Sequence, residues 1–151
     1  MELQQNIIKQ LAQNVYTNLG KGHTEYIYHR AFEIELRQNN IAYDSEKRVI
    51  ISYNNHAIGD ERIDIFLFEN NVIIELKAIV TEPKMSEIIQ VKKYYRELKK
   101  QNIICSYGII INFPQVGCRQ SLQSLDLVSR SIGTKDNKDD IDFIVIKFDN
   151  I

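Results

Sequence analysis

Three charged residues near the middle of the chain, Asp64, Glu75 and Lys77, have a spacing that favours joint chemistry. Glu75 and Lys77 are two apart in an apolar run typical of a strand, so their side chains project from one face, roughly 6–7 Å apart at the backbone. Asp64 lies in the preceding apolar run, and the polar residues 69–71 between the two runs predict a hairpin. Positions 64 and 75 lie at similar distances from that turn, so the hairpin would bring the two carboxylates together.

Two carboxylates and an amine in an apolar sheet need compensation, because burying an unpaired charge is costly. A divalent cation held by carboxylate oxygens and a backbone carbonyl would provide it, and these donors suit Mg²⁺, which is usually shared with a phosphate. The lysine would then orient or deprotonate a water and offset charge on the phosphate. The chemistry indicated is hydrolysis of a phosphodiester.

An alternative is that Glu75 and Lys77 form a salt bridge on a solvent-facing strand, worth about 0–1 kcal/mol. The period of two places large apolar side chains on the same face, which a water-facing surface seldom carries. These side chains are Phe66, Phe68, Ile73 and Ile79.

Two predicted helices add polar groups to this picture. Gln90 and Tyr94 are four apart on one helix face, and Gln90 would be able to reach a phosphate or hold Lys77. Glu25 lies near the start of another helix and shares a face with Tyr28. Each also has an ordinary explanation, since surface glutamines are common and a glutamate near a helix start often acts on the helix dipole.

The hydrophobic pattern predicts the elements that must position these residues. Helices are predicted over 2–19, from about 25 to 38–40 and over 85–100, and strands over 48–53, 58–68, 72–80, 103–113 and 143–148. A short helix around 122–129 and a mobile charged loop over 133–140 are also expected. The order predicts an α/β (α+β-like) fold, with a mixed central sheet flanked by helices and not a parallel doubly wound sheet.

Length and composition indicate one domain over residues 1–151. The chain has 19 Lys and Arg against 20 Asp and Glu, a formal net charge of −1, and 44% hydrophobic residues, enough for a core without disulfides or structural metals. Its two cysteines and three histidines complete no zinc spacing. No signal peptide or transmembrane segment is evident, so an intracellular location without a membrane partner is expected.

Because the net charge is near zero, a nucleic-acid partner would have to bind a local basic surface. The helix over 85–100 offers Lys92, Lys93 and Arg96 for such contacts, with Tyr94 beside them. The alternative is a solvated helix face, because acidic residues interleave with these basic ones.

Six short blocks occur in unbroken order. They are Gly22-x-x-Glu25-x-x-Tyr28, then Ala31 with Glu35-Leu36, Arg62-x-Asp64, Ile74-Glu75-Leu76-Lys77-Ala78, Gln90-x-x-x-Tyr94 and Gly108-Ile109-Ile110-Ile111-Asn112-Phe113. In this combination the chain resembles the GxxExxY family of the PD-(D/E)xK nuclease superfamily. The resemblance covers about residues 7–113 and implies a restriction-endonuclease-like core, followed by an extension over 114–151.

The resemblance implies roles for individual residues. Asp64 and Glu75 would bind Mg²⁺ or Mn²⁺, with the backbone carbonyl of Leu76 completing the metal shell, and Lys77 would be the catalytic lysine. Glu25 would be the helix-borne carboxylate directed at the site, often through water. Gln90 matches the superfamily's helix glutamine.

Three further family positions, Tyr28, Tyr94 and Asn112, match without an assigned role, and packing is the expectation for each. Two positions depart from the family pattern: Ile63 stands where proline often precedes the aspartate, and Pro114 stands where glycine usually follows Asn-Phe.

The leading hypothesis is therefore a metal-dependent nuclease that cleaves DNA phosphodiesters, with RNA as an open alternative and a homodimer as a common form in the superfamily. The second hypothesis is a nuclease-fold module that binds nucleic acid or a protein partner without cleaving. The presence of Asp64, Glu75 and Lys77 together favours the enzyme.

Overall fold

A computed structural model of the protein describes residues 2–117 and 140–148, which form three helices and five strands. In chain order these are α1 (Glu2–Leu19), α2 (Glu25–Gln38), β1 (Asp44–Tyr53), β2 (His56–Leu67), β3 (Val72–Lys77), α3 (Met85–Lys100), β4 (Tyr107–Asn112) and β5 (Asp142–Lys147). The helix expected around 122–129, most of the charged loop expected over 133–140, and Cys118 lie outside the described residues.

The five strands form one sheet in the order β1-β2-β3-β4-β5. The first three strands are an antiparallel meander, β3 and β4 are parallel and connected through α3, and β4 and β5 are antiparallel. The predicted mixed sheet with flanking helices is therefore confirmed. β5 lies in the part of the chain expected to be an extension, yet it pairs with β4 along its whole length and completes the same sheet.

The helices cover both faces of the sheet. Side chains of α1 and α2, among them Leu11 and Phe32, pack against Ile74 and Leu76 of β3 on one face. On the other face, Val91 and Leu98 of α3 pack against β-strand residues that include Ile73. The alternation of β3 between the two clusters follows from the period of two in a strand.

Gly108 of β4 allows α3 to lie close to the sheet. A Cβ atom at this position would lie 2.6 Å from Cγ1 of Val91 and 3.1 Å from the ring of Phe148. Any side chain here would therefore displace Val91 and disturb the packing of α3 on the sheet.

The turn at Asn54 and Asn55 has the backbone of a tight hairpin. Both residues have positive φ, 49° and 64°, and they join Tyr53 to its partner His56. Two consecutive positive φ values are typical of a type I′ turn, which asparagine tolerates. Asn54 and Asn55 therefore form the two-residue hairpin turn between β1 and β2.

Two strands are shorter than the hydrophobic pattern predicts. β3 ends at Lys77, not at residue 80, because the side chain of Asn112 binds the backbone N–H and C=O of Ile79 at 2.9 and 3.2 Å. β4 begins at Tyr107, not at residue 103, because the N–H of Ile103 donates to the carbonyl of Leu98 and closes the end of α3. Apolar residues in both segments are buried or half-buried without being part of a strand, apart from Ile104 and Val80, which are exposed.

Among the described residues, no helix is both long enough and apolar enough to pass through a membrane.

Candidate active site

Asp64 and Glu75 meet where the pairing between β2 and β3 ends. The two strands pair from Leu67 and Val72 at the turn to Ile65 and Ile74, and positions 64 and 75 are the next in register. We call this place the fork. Here a side chain takes the place of a backbone acceptor between the two strands, since the N–H of Asp64 donates to Oε1 of Glu75 at 3.2 Å.

The second half of the fork is formed by Leu76, whose backbone N–H donates to Oδ2 of Asp64 at 2.8 Å. The Asp64 carboxylate therefore lies between the two strands and takes the place of a backbone acceptor. Each acidic side chain is held by the opposite strand, which fixes both carboxylates at one point.

The regular alternation of β2 breaks at Asp64. Ile63 packs in the cluster on the α3 side of the sheet, whereas Ile65 and Leu67 pack in the cluster on the side of α1 and α2. In an unbroken strand all three would share a face. The Asp64 side chain therefore does not follow the period of two that would group it with Phe66, and it lies within reach of His29 on α2.

The apolar face predicted around Glu75 is also smaller than expected. Phe66 and Ile73 pack on the α3 side as predicted. Phe68 follows the end of β2 and is 47% exposed, and Ile79 follows the end of β3.

Glu75 is buried, with 3% of its surface exposed. Burial, followed by the nearby Asp64 carboxylate, raises the pKa of Glu75 to about 9, against an ordinary value of 4.5. The alternative of a solvent-facing salt bridge with Lys77 is therefore wrong. In the protein alone Glu75 is protonated at neutral pH, and a cation bound beside it would favour the ionised form.

Lys77 is half-buried at the end of β3 and lines an open cleft of about 280 Å³ between β3 and α3. Its ammonium group is close enough to Glu75 and Glu25 to lower the pKa of both carboxyls, which opposes the effect of burial. The other residues that line the cleft are Ser86, Glu87, Ile89, Gln90 and Lys93.

Gln90 is anchored to the strand that carries Asp64. Its Nε2 donates to the hydroxyl of Tyr94 at 2.9 Å, and that hydroxyl donates to the carbonyl of Arg62 at 3.2 Å. Burial raises the pKa of Tyr94, so the phenol stays protonated and can donate. The chain of hydrogen bonds connects α3 with β2 two residues before the fork.

The surface expected to contact nucleic acid is only partly available. Tyr94 is 2% exposed, which is at odds with the direct nucleic-acid contact expected of it. Lys93 is half-buried and forms an ion pair with Glu61 at 2.5 Å. Lys92 is half-buried and Arg96 is exposed.

Glu25 is the first residue of α2 and lies at the edge of the site. Loss of water around its carboxyl, followed by repulsion from Asp64, raises the pKa of Glu25, and Lys77 and His29 act in the opposite direction. Glu25 is therefore close enough to Asp64 and Lys77 for their charges to affect its carboxyl group.

His29 and Glu46 are near the same place and were missed in the sequence analysis. One ligand atom each of His29, Glu46 and Asp64 lies within 4.8 Å of the other two. His29 is one helical turn after Glu25, so the spacing of four along α2 was a signal that could have found it. Glu46 gave no such signal, because its position depends on the register between β1 and β2.

These donors fit a divalent cation. Carboxylate oxygens suit Mg²⁺ and Mn²⁺, and an imidazole nitrogen suits transition metals. Burial, followed by the nearby Asp64 carboxylate, raises the pKa of both Glu25 and Glu75, and a bound cation would oppose this by favouring the ionised carboxylates.

Two family positions have structural contacts that hold the neighbouring loops. Tyr28 stacks on Phe113 with ring centroids 4.6 Å apart, and its hydroxyl donates to the carbonyl of Gly20 at 2.7 Å. Asn112 is fully buried and, besides Ile79, binds the carbonyl of Thr81 at 3.3 Å. Tyr28 thus fixes the segment that leads into Glu25, and Asn112 fixes the segment that follows Lys77.

Comparison with known proteins gives one match. A family model described as the PD-(D/E)XK nuclease superfamily matches residues 2–124. No curated protein and no solved structure matches the chain.

Proposed function

The chain belongs to the PD-(D/E)XK nuclease superfamily, and from this premise we propose that it is a divalent-metal-dependent nuclease that hydrolyses DNA phosphodiester bonds. The observation that carries the proposal is the fork, where the N–H of Asp64 donates to Glu75 and the N–H of Leu76 donates to Asp64. Two acidic side chains are held together there near Lys77, which lines an open cleft.

Asp64 and Glu75 are the proposed metal ligands, together with the backbone carbonyl of Leu76. The bound Mg²⁺ or Mn²⁺ would supply Lewis-acid activation of the phosphate. The raised pKa of Glu75 supports this assignment, because a neighbouring cation stabilises the ionised carboxylate that burial disfavours.

Lys77 is the proposed catalytic lysine. It lies at the end of β3, where its ammonium group influences both Glu25 and Glu75. From the cleft it would orient the attacking water and offset the charge that develops on the phosphate. Its half-buried position lowers the local dielectric, which strengthens both effects.

Gln90 and Glu25 complete the proposed site. Gln90 lines the cleft and is held by Tyr94, so its side chain is in position to contact a phosphate or Lys77. Glu25, at the start of α2, would contact the cation through water. Its raised pKa, caused by loss of water and by Asp64, supports a place near the metal.

Within the superfamily we assign the chain to the GxxExxY family. The assignment is supported by Gly22, Glu25 and Tyr28, of which Gly22 has a φ of 98° and donates its N–H to the side chain of Gln115 at 2.8 Å. This positive φ favours glycine, because a side chain would be strained there.

DNA is the proposed partner, bound at the cleft and along the exposed side of α3. Lys92, Lys93 and Arg96 are the proposed contacts on that helix. With a formal net charge of −1, the affinity would be modest and would fall with added salt. A homodimer would double this basic surface.

The test uses the purified chain and end-labelled substrates of one sequence, as duplex DNA, single-stranded DNA and RNA, with Mg²⁺, Mn²⁺ or EDTA. We expect cleavage of DNA with metal and none with EDTA, and loss of cleavage in Asp64→Asn and Lys77→Met. Glu69→Gln is the control, because Glu69 is an exposed carboxylate in the turn between β2 and β3.

Equal cleavage by Asp64→Asn would show that the activity does not come from this site. Binding of DNA without cleavage and without a metal requirement would favour the non-catalytic module. Preferential cleavage of the RNA strand would correct the substrate and leave the site intact.

A further inference from the structure

We propose that His29 and Glu46 are further ligands of the cation bound at Asp64, so that the site offers a nitrogen donor besides its carboxylates. This inference rests on the proposed function, since Asp64 is shared between the two ligand sets. It extends the site from the fork towards α2 and β1.

The three side chains come from three different elements and meet at one point. One ligand atom each of His29, Glu46 and Asp64 lies within 4.8 Å of the others. Donors bound at about 2.0–2.2 Å to one ion lie within about 4.4 Å of one another. Small side-chain movements would therefore close this group around a cation.

Glu46 and Asp64 fall at the same place in the register of β1 and β2 without pairing. Ser45 pairs with Ile65 and Lys47 pairs with Ile63, and Glu46 between them has a positive φ of 58°. The two carboxylates nevertheless come close to each other. Within residues 2–117 and 140–148, no ion pair joins Glu46 to a basic side chain, so its carboxylate is available to a cation.

The ring of His29 is buried and held by one nitrogen. Nε2 lies 3.1 Å from Oε2 of Glu33 and 3.1 Å from Oγ of Ser45. Glu33 is itself buried and also accepts hydrogen bonds from the hydroxyls of Ser45 and Tyr43, each at 3.1 Å. If Nε2 donates its N–H to this buried carboxylate, Nδ1 of the neutral ring carries the lone pair that a cation would bind.

A histidine held in this way has the arrangement that metal-binding histidines use. In such sites one ring nitrogen donates to a carboxylate and the other binds the metal, and the carboxylate fixes the ring and increases its basicity. Glu33 is then a positioning residue, because it acts on the metal through His29. The ligand set predicts a preference for Mn²⁺ over Mg²⁺, since Mg²⁺ favours oxygen donors and imidazole suits transition metals.

The test measures Mn²⁺ bound to the full chain by pulsed electron paramagnetic resonance, which detects the ¹⁴N nucleus of a coordinated imidazole. We expect ¹⁴N modulation in the wild-type protein and its loss in His29→Gln. His23→Gln and His56→Gln are matched controls, because they remove the other two histidines of the chain, both exposed, and should retain the signal.

A second variant does not disturb the buried network. Glu46 is exposed, so Glu46→Gln should fold normally, and calorimetric titration should show Mn²⁺ affinity lowered roughly tenfold. Glu33→Gln should also lower the affinity and keep the ¹⁴N signal, which a merely structural role would not predict.

The outcomes separate this inference from the proposed nuclease. Mn²⁺ that binds in an Asp64-dependent way and supports cleavage, but shows no ¹⁴N coupling, would overturn the His29 assignment and leave the nuclease standing. Unchanged Mn²⁺ affinity in Glu46→Gln would overturn the Glu46 assignment. Wild-type protein that binds no Mn²⁺ would overturn both the ligand set and the metal-dependent function.

Discussion

Asp64 and Glu75 lie on neighbouring strands at the fork, where the backbone N–H of Asp64 donates to Oε1 of Glu75 at 3.2 Å. The contact holds two acidic groups together in a buried place, and the pKa of Glu75 rises to about 9 as a result of burial and of Asp64. The arrangement is unfavourable for the protein alone and favourable once a cation is bound. Stability and activity should therefore respond in opposite directions to changes at Glu75.

The first prediction concerns the stability of Glu75→Gln without metal. Because the folded pKa of about 9 lies above the ordinary 4.5, the folded chain binds the extra proton between these values, and the free energy of unfolding falls as the pH rises through this window. Glutamine removes this loss and can still accept from the N–H of Asp64. In EDTA at pH 8 we expect Tm to rise by at least about 2–4 °C, the shift that about 1 kcal/mol produces in a domain of this size.

Thermal unfolding at pH 4.5, 6, 8 and 9 checks this prediction. The difference between Glu75→Gln and wild type should be small at pH 4.5 and grow with pH, while Glu69→Gln, at an exposed carboxylate, should show no such growth. A difference that does not depend on pH would contradict the raised pKa. Cleavage activity should be lost in the same variant.

The second prediction concerns metal-linked stability. A ligand that binds only the folded chain at one hundred times its Kd stabilises it by about 2.7 kcal/mol. Mn²⁺ should therefore raise Tm in a concentration-dependent way, and Asp64→Asn should lose most of this rise. Asparagine can still accept from the N–H of Leu76, so the variant should keep the fold. An equal rise in Asp64→Asn would assign the metal to another place.

The sequence predicted the mixed sheet and the meeting of positions 64 and 75, because hydrophobic period and turn spacing are local properties. It did not predict the break in alternation at Asp64, which depends on how Ile63 and Ile65 pack on opposite faces of the sheet. It also missed Glu46, whose place near Asp64 is set by the register of β1. Such contacts arise from tertiary packing, which a residue pattern along one chain does not encode.

The third prediction concerns the reactivity of Cys105. Burial raises the pKa of this thiol to about 12, although Lys47 acts in the opposite direction. Since the thiolate is the reactive form, Cys105 should react with iodoacetamide at pH 8 far more slowly than a free thiol of pKa about 8.5. A Cys118→Ser variant leaves Cys105 as the single cysteine of the chain, so mass spectrometry reports on it alone.

The same variant unfolded in guanidinium chloride is the control, and it should be alkylated at the rate of an ordinary thiol. Rapid alkylation of the folded variant would show that the α3 side of the sheet opens more readily than the packing of Cys105 with Val91 and Leu98 indicates.

The fourth prediction is that Tyr94 acts through Gln90. The Tyr94 hydroxyl accepts from Gln90 at 2.9 Å and donates to the carbonyl of Arg62. Tyr94→Phe leaves the Gln90 amide and the Arg62 carbonyl without this partner. It should therefore lower the free energy of unfolding by about 1–3 kcal/mol. Because Gln90 loses its anchor at the cleft, we also expect kcat to fall with little change in KM. Tyr53→Phe is the control, since Tyr53 is 67% exposed.

A double-mutant cycle separates positioning from general destabilisation. If Tyr94 acts through Gln90, the variant that combines Tyr94→Phe with Gln90→Ala should have the kcat of Gln90→Ala alone, because the second change removes a partner that is already lost. Effects on kcat that add would mean that the two side chains act independently. The cycle is measured below the Tm of every variant, so that a loss of folded protein does not enter the comparison.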